Sequence, residues 1–278
     1  MQKLNITTIK QVLLVLLSCT FSFNAIAQKL PSVQQASLRV PVNLKIDGKA
    51  TEWNNKFQAY NRHTEFYYTL ANNDKNLYLV VQATIPDVIK RILNGGISIT
   101  IVKSGKKGDK EGPSISYPVV DRNNKVGVSF KNMPEIKPGI PATIMAADSF
   151  MNATNKTMAA KTKLIMVTGI KNLDTLISVY NTDGIRVAAL FDNKLVYTLE
   201  LSVALKQLGL SVNNPVKFAY HIMINEVSPN YANPSNDGSI IDPQLAARAA
   251  KSSGGAPPKR PDNGQAATDF WGEYTLAR

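Results

Sequence analysis

The chain has 278 residues, with 32 Lys and Arg against 20 Asp and Glu and a formal charge of +12. Its single cysteine, Cys19, lies in a leader-like stretch, so the rest of the chain holds no disulfide, no thiolate nucleophile and no cysteine-based zinc or iron–sulfur site. With 44% hydrophobic residues, nine Phe and ten Tyr there is ample material for a packed core. Beyond the leader no apolar run approaches the roughly 18 residues that a membrane helix requires.

Residues 1–27 read as a secretory signal peptide. Lys3 and Lys10 stand without any acid, an apolar run covers 12–17, and Ala25-Ile26-Ala27 supplies a small-x-small cleavage pattern. Cleavage there leaves 251 residues with 30 basic and 20 acidic side chains, a formal +10. Leu16-Leu17-Ser18-Cys19 also resembles a lipoprotein cleavage box, but small and apolar residues continue to Ala27, where the better site lies. The expectation is an exported chain, in the periplasm, at the cell surface or secreted. Residues 28–39 read as an N-terminal extension and 40–278 as one domain.

Short alternating or β-branched segments then recur between turn signals. Leu77-Tyr78-Leu79-Val80-Val81 follows an Asn/Asp turn, and Ile97-Ser98-Ile99-Thr100-Ile101 alternates at period two after Gly95-Gly96. Further strands are expected at 114–120, 164–168, 176–180, 185–191, 195–201 and 216–224. In the last, Val216, Phe218, Tyr220, Ile222 and Ile224 share one face, and Lys217, Ala219, His221 and Met223 the other. Helical signals are short: 86–93, opened by Pro86, then 202–208 before Gly209, and an Ala-rich stretch at 243–251. Residues 103–113 read as a charged hairpin tip. Residues 252–268, with three Pro, three Gly and no large apolar side chain, read as a disordered or long surface loop. A final strand at 270–277 returns the chain to the same domain. The pattern predicts an all-β fold, an immunoglobulin-like two-sheet antiparallel β-sandwich with a few short helices.

Four segments in order resemble family 9 carbohydrate-binding modules: Ile46-Asp47-Gly48 followed by Glu52-Trp53; Asn73-Asp74-Lys75-Asn76 feeding Leu77-Tyr78-Leu79; Tyr197-Thr198-Leu199-Glu200; and the strand 218–225. The resemblance implies a non-catalytic binding module for carbohydrate or a cell-envelope glycan. It is incomplete, because the stretch 92–100 lacks the family's tryptophan and paired acids, and the late loop 226–268 has Tyr231 but no Trp. The alternative is a structural or protein-interaction sandwich that has lost the sugar site. Asp47 and Gly48 read as turn residues, and Trp53 and Trp271 as core, Trp53 plugging one end of the sandwich.

Sugars offer an apolar face ringed by hydroxyls, so their sites combine aromatic faces with planar polar side chains. The best supply is Arg62, His63, Tyr67 and Tyr68 on one segment and Asn225, Tyr231 and Asn233 on another. Half-buried strand residues are the alternative for Tyr67 and Tyr68. No cofactor is expected; as some relatives of the family bind calcium, Asp47, Glu52 and Asp74 are the acids such a site would draw on. His63 and His221 fit no zinc spacing, and nucleophile elbow, Walker loop and dinucleotide fingerprint are missing, so no enzyme is expected. Basic and aromatic residues are not interleaved, which speaks against nucleic acid. The expected partner is a glycan or envelope component, met by a monomer without a transmembrane segment in the mature chain.

Overall fold

A computed structural model describes residues 29–109, 111–119, 126, 128, 130–226 and 266–278, and within them Pro31–Arg278 cluster as one unit. Two antiparallel sheets face each other. The first holds five strands in the order β1-β2-β3-β9-β8: β1 (Ala59–Asn61), β2 (Phe66–Asn72), β3 (Asn76–Ala83), β9 (Tyr197–Ala204) and β8 (Ile185–Phe191). The second holds six in the order β11-β10-β4-β5-β6-β7: β11 (Thr268–Tyr274), β10 (Phe218–Ile224), β4 (Ile97–Val102), β5 (Ser114–Tyr117), β6 (Leu164–Thr168) and β7 (Leu176–Ser178). The expected two-sheet sandwich is the observed fold.

Alternation along each strand decides which side chains enter the core. Leu70, Leu79, Val81, Leu199 and Leu201 face Ile99, Ile101, Ile115, Ile165 and Val167, all buried in one cluster. Toward β11 the packing turns aromatic: Phe66, Tyr68, Tyr220 and Phe270 meet edge-on or tilted, and the Tyr68 and Tyr220 hydroxyls are 3.0 Å apart. Gly272 faces inward at this point because the Tyr220 ring occupies the space a Cβ would need. The void between the sheets, lined by Leu70, Leu79, Ile99, Ile115 and Leu201, is only about 10 Å³, too small for a ligand.

Three helices decorate the strands among the described residues. α1 (Pro86–Gly95) starts on Pro86 and buries Val88, Ile89, Ile92 and Leu93. The longest, α2 (Pro141–Lys161), overturns the expectation that helical segments are all short. It carries almost no amphipathic signal, since Ala147, Thr154 and Met158 alone are buried, and its Ala and Met residues form helix by intrinsic propensity. The shortest, α3 (Leu205–Leu208), ends in left-handed Gly209, later and briefer than the 202–208 expected. The expected helix at 243–251 lies outside the described residues, as does most of the loop at 252–268.

The segment read as an extension, 28–39, contributes to the sandwich. Gln34 is buried and its side-chain amide accepts from Leu70 N and donates to Leu70 O, both at 2.8 Å, in place of a neighbouring strand. On the opposite edge the Asn155 amide does the same for Phe191, donating to its O at 3.0 Å and accepting from its N at 2.8 Å. A seam joins the sheets where Asn72 Oδ1 accepts from Ala277 N at 2.7 Å and Leu38 N donates to Tyr274 Oη at 3.0 Å.

Candidate functional site

The outer faces of the two sheets differ. Residues 44–57 fold over the five-stranded sheet, where Glu200 projects outward from β9 and is almost wholly buried. One carboxylate oxygen accepts from Trp53 Nε1 at 3.0 Å; the other accepts from Asp47 N and Gly48 N, each at 3.0 Å. Burial pushes the Glu200 carboxyl above the ordinary glutamate range, and the three donors oppose that rise. Gly48 has φ +81°, and a Cβ there would sit 2.9 Å from the Ala189 backbone carbon, so only glycine lets the turn lie this close. Two of the motifs read separately in the sequence are thus the two halves of one structural clamp. Trp53 is buried as expected, but over the outer face and not at an end of the sandwich. The Asn73 turn is structural too: Asn73 Oδ1 accepts from Lys75 N and Asn76 N, while its amide donates to the Tyr78 hydroxyl.

On the six-stranded sheet, alternation along β10 and β11 turns His221, Asp269, Trp271 and Glu273 outward. Trp271 is therefore not a core residue, contrary to expectation. Its indole stacks on the His221 imidazole, centroids 4.4 Å apart and planes 12° apart, and His221 Nε2 is 2.5 Å from Asp269 Oδ2. Since β11 is the edge strand and His221 stands on the inner neighbour β10, the other indole face looks toward the sheet edge. There it borders an open depression of about 360 Å³, lined also by Gln35, Ser37, Lys107, Lys217 and Glu273. Lys217 Nζ lies 2.5 Å and Lys107 Nζ 3.7 Å from the Glu273 carboxylate, and the Lys217 contact holds that carboxyl below its ordinary range. An aromatic face, hydroxyl and amide groups and a compensated cation–anion cluster meet in one place, the chemical groups that stacking and hydrogen bonding to a ligand would use.

The residues singled out in the sequence do not assemble into one site. Arg62 and His63 are exposed at the β1–β2 hairpin tip, where Asn61 Oδ1 accepts from His63 N and Thr64 N. Tyr67 lies on the outer face of the five-stranded sheet against Tyr60 and Phe57, with ring centroids 4.8 and 5.9 Å away. Tyr68 is fully buried in the aromatic core and offers no face to a ligand. Asn225 belongs to the other sheet and is engaged, accepting from Ser98 Oγ at 2.6 Å and donating to Gly95 O at 2.9 Å. Tyr231 and Asn233 lie outside the described residues. The acids considered for calcium stand apart: Asp74 pairs with Arg39 at 2.8 Å, Asp47 caps Lys49 N, and Glu52 accepts from Thr51 Oγ1. Among the described residues no three His, Cys, Asp or Glu side chains are grouped to hold a metal ion.

The site missed in the sequence had left one signal. Phe270 and Tyr274 bracket Gly272 at period two, which puts all three on the core side and Trp271 on the other. No protein-family model matches the chain, and no curated protein does. No helix among the described residues is long and apolar enough to cross a membrane.

Proposed function

We propose that this protein is a non-catalytic, exported binding module for carbohydrate or a cell-envelope glycan, and that Trp271 is its principal contact. The observation that carries this reading is the indole itself. One face is braced by His221, which fixes the ring, and the other fronts a depression edged by hydroxyl, amide and charged groups. A ring held in this way loses little rotamer freedom on binding, and an apolar sugar face laid against it excludes water from both. The leader-like residues 1–27 and the resemblance of the Asp47–Trp53 and Tyr197–Glu200 segments to family 9 carbohydrate-binding modules point the same way.

Affinity electrophoresis in gels containing neutral or acidic polysaccharides, each at low and high salt, tests the reading. The expected result is retardation by a neutral glycan that survives high salt and is lost in Trp271→Ala at an unaltered melting temperature. A folded protein that no glycan retards overturns it. Retardation by acidic polymers alone, abolished by salt, assigns the binding to net charge instead. The second reading, a protein-interaction domain, is favoured by Leu164 and Leu176, which are 39% and 45% exposed on the outer face of β6 and β7.

A further inference from the structure

We infer that the ligand is an uncharged glycan chain of several sugars that stacks on the edge-facing side of Trp271, passes over the Trp271–His221 pair and continues across the strands of the six-stranded sheet. This rests on the carbohydrate reading and extends it from one contact to a track. The observation is a row set by strand register: Trp271 on β11 pairs with His221 on β10, His221 with Thr100 on β4, Thr100 with Ser114 on β5, and Ser114 with Thr168 on β6. With strands about 4.8 Å apart, the row is about 19 Å long. That spacing is close to the advance of one pyranose ring along an extended chain, so the row fits about four or five rings.

Charge selects the occupant. The protein carries a formal +12, yet the outward residues of β4 and β5 that are not buried are Thr100, Ser114 and Ser116, with Thr168 next on β6, none of them charged. Among the described residues the cations at the Trp271 end, Lys107 and Lys217, are already paired with Glu273, so an anionic polymer finds no unpaired cation in this row, whereas a polyhydroxylated neutral chain finds hydroxyls at its own spacing. Their protons are also ordered. Ser98 Oγ donates to Asn225 Oδ1 at 2.6 Å, so in the 2.6 Å Ser98–Ser116 contact Ser116 is the donor, and its lone pairs face outward. Thr100 Oγ1 donates to Ser114 Oγ at 3.0 Å, which leaves the Ser114 proton for a ligand. Ser114 and Ser116 point to the same side of β5, roughly 7 Å apart, one as donor and one as acceptor. Asn225, whose amide made it a candidate for direct sugar contact, acts here as the anchor that sets this polarity.

The test is calorimetric titration of the whole protein with uncharged ladders from two to six sugars, of the cello-, xylo-, manno- and chito- series, beside oligogalacturonides as charged controls. The expected result is an affinity that climbs at least tenfold between two and five sugars of one neutral series, then levels off, and is insensitive to salt. The double variant Ser114→Val with Thr168→Val removes both hydroxyls and leaves a residue of high strand propensity at each position; it should retain disaccharide binding and lose the gain with length. Equal affinity for short and long chains, or a gain that survives in the double variant, overturns the track while leaving the Trp271 contact standing. Salt-sensitive preference for oligogalacturonides overturns the neutral ligand. Failure of every ladder overturns the carbohydrate reading and the track together.

Discussion

The two tryptophans of this chain do opposite work. Trp53 is buried on the outer face of the five-stranded sheet with its indole N–H held by Glu200, inside a clamp whose hydrogen bonds close within the protein. Trp271, on the outer face of the six-stranded sheet, is braced on one face by His221 and fronts an open depression with the other. The difference teaches that what the second face of an aromatic side chain meets, not its place in a motif, decides whether the ring is enclosed or left open.

Substitutions sharpen that contrast, beginning with the largest expected effect. Trp53→Ala removes a buried aromatic and orphans an oxygen of Glu200, and should cost about 3–5 kcal/mol, seen as a fall in melting temperature of roughly 10 °C or more. An unchanged melting temperature would break the comparison at its structural end. Glu200→Gln is expected to cost about 2 kcal/mol, because its NH2 must face either Trp53 Nε1 or the two turn amides, all of them donors.

The same variant has a pH signature. Because the folded-state carboxyl of Glu200 titrates above the ordinary value of 4.5, the folded protein takes up this proton before the unfolded chain does. Its contribution to stability therefore increases as pH falls from the raised value toward 4.5 and is constant below that. Wild type should gain on Glu200→Gln over this window in paired thermal melts; a constant difference would exclude the buried carboxylate as the cause.

Trp271→Ala should stay within about 1 kcal/mol of wild type in denaturant melts while weakening neutral glycan binding roughly 30-fold. Smallest is Tyr197→Phe. The Tyr197 hydroxyl is a fully buried side-chain group with no hydrogen-bond partner among the described residues, so removing it should raise stability by about 1 kcal/mol, and a loss on urea melting would show that the hydroxyl is satisfied.

Much of the fold was legible because period-two alternation is written residue by residue. The Tyr220 face of β10, the Ile97–Ile101 strand and the hairpin tip at 103–113 all follow from local pattern. The clamp was half legible: Asp47, Gly48, Trp53 and Glu200 stood out, but the bond joining them spans 147 residues and leaves no local trace. Tyr68 and Trp271 mislead for one reason. Both occupy strands whose two faces are partly apolar, so composition does not say which face is the core, and the inward Gly272 that decides it for β11 serves the Tyr220 ring. Helix α2 escaped because propensity, not amphipathic period, carries it.

Two amide side chains packed against the margins of the five-stranded sheet bear on how this protein behaves in crowded solution. Gln34 and Asn155 each take both the N–H and the C=O of one residue, Leu70 near one margin of the sheet and Phe191 on the other. A foreign strand seeking to add there must first dislodge a bidentate amide and then gain nothing at that residue beyond what was lost. A single side chain at each margin thus stands in the way of strand addition at Leu70 and at Phe191.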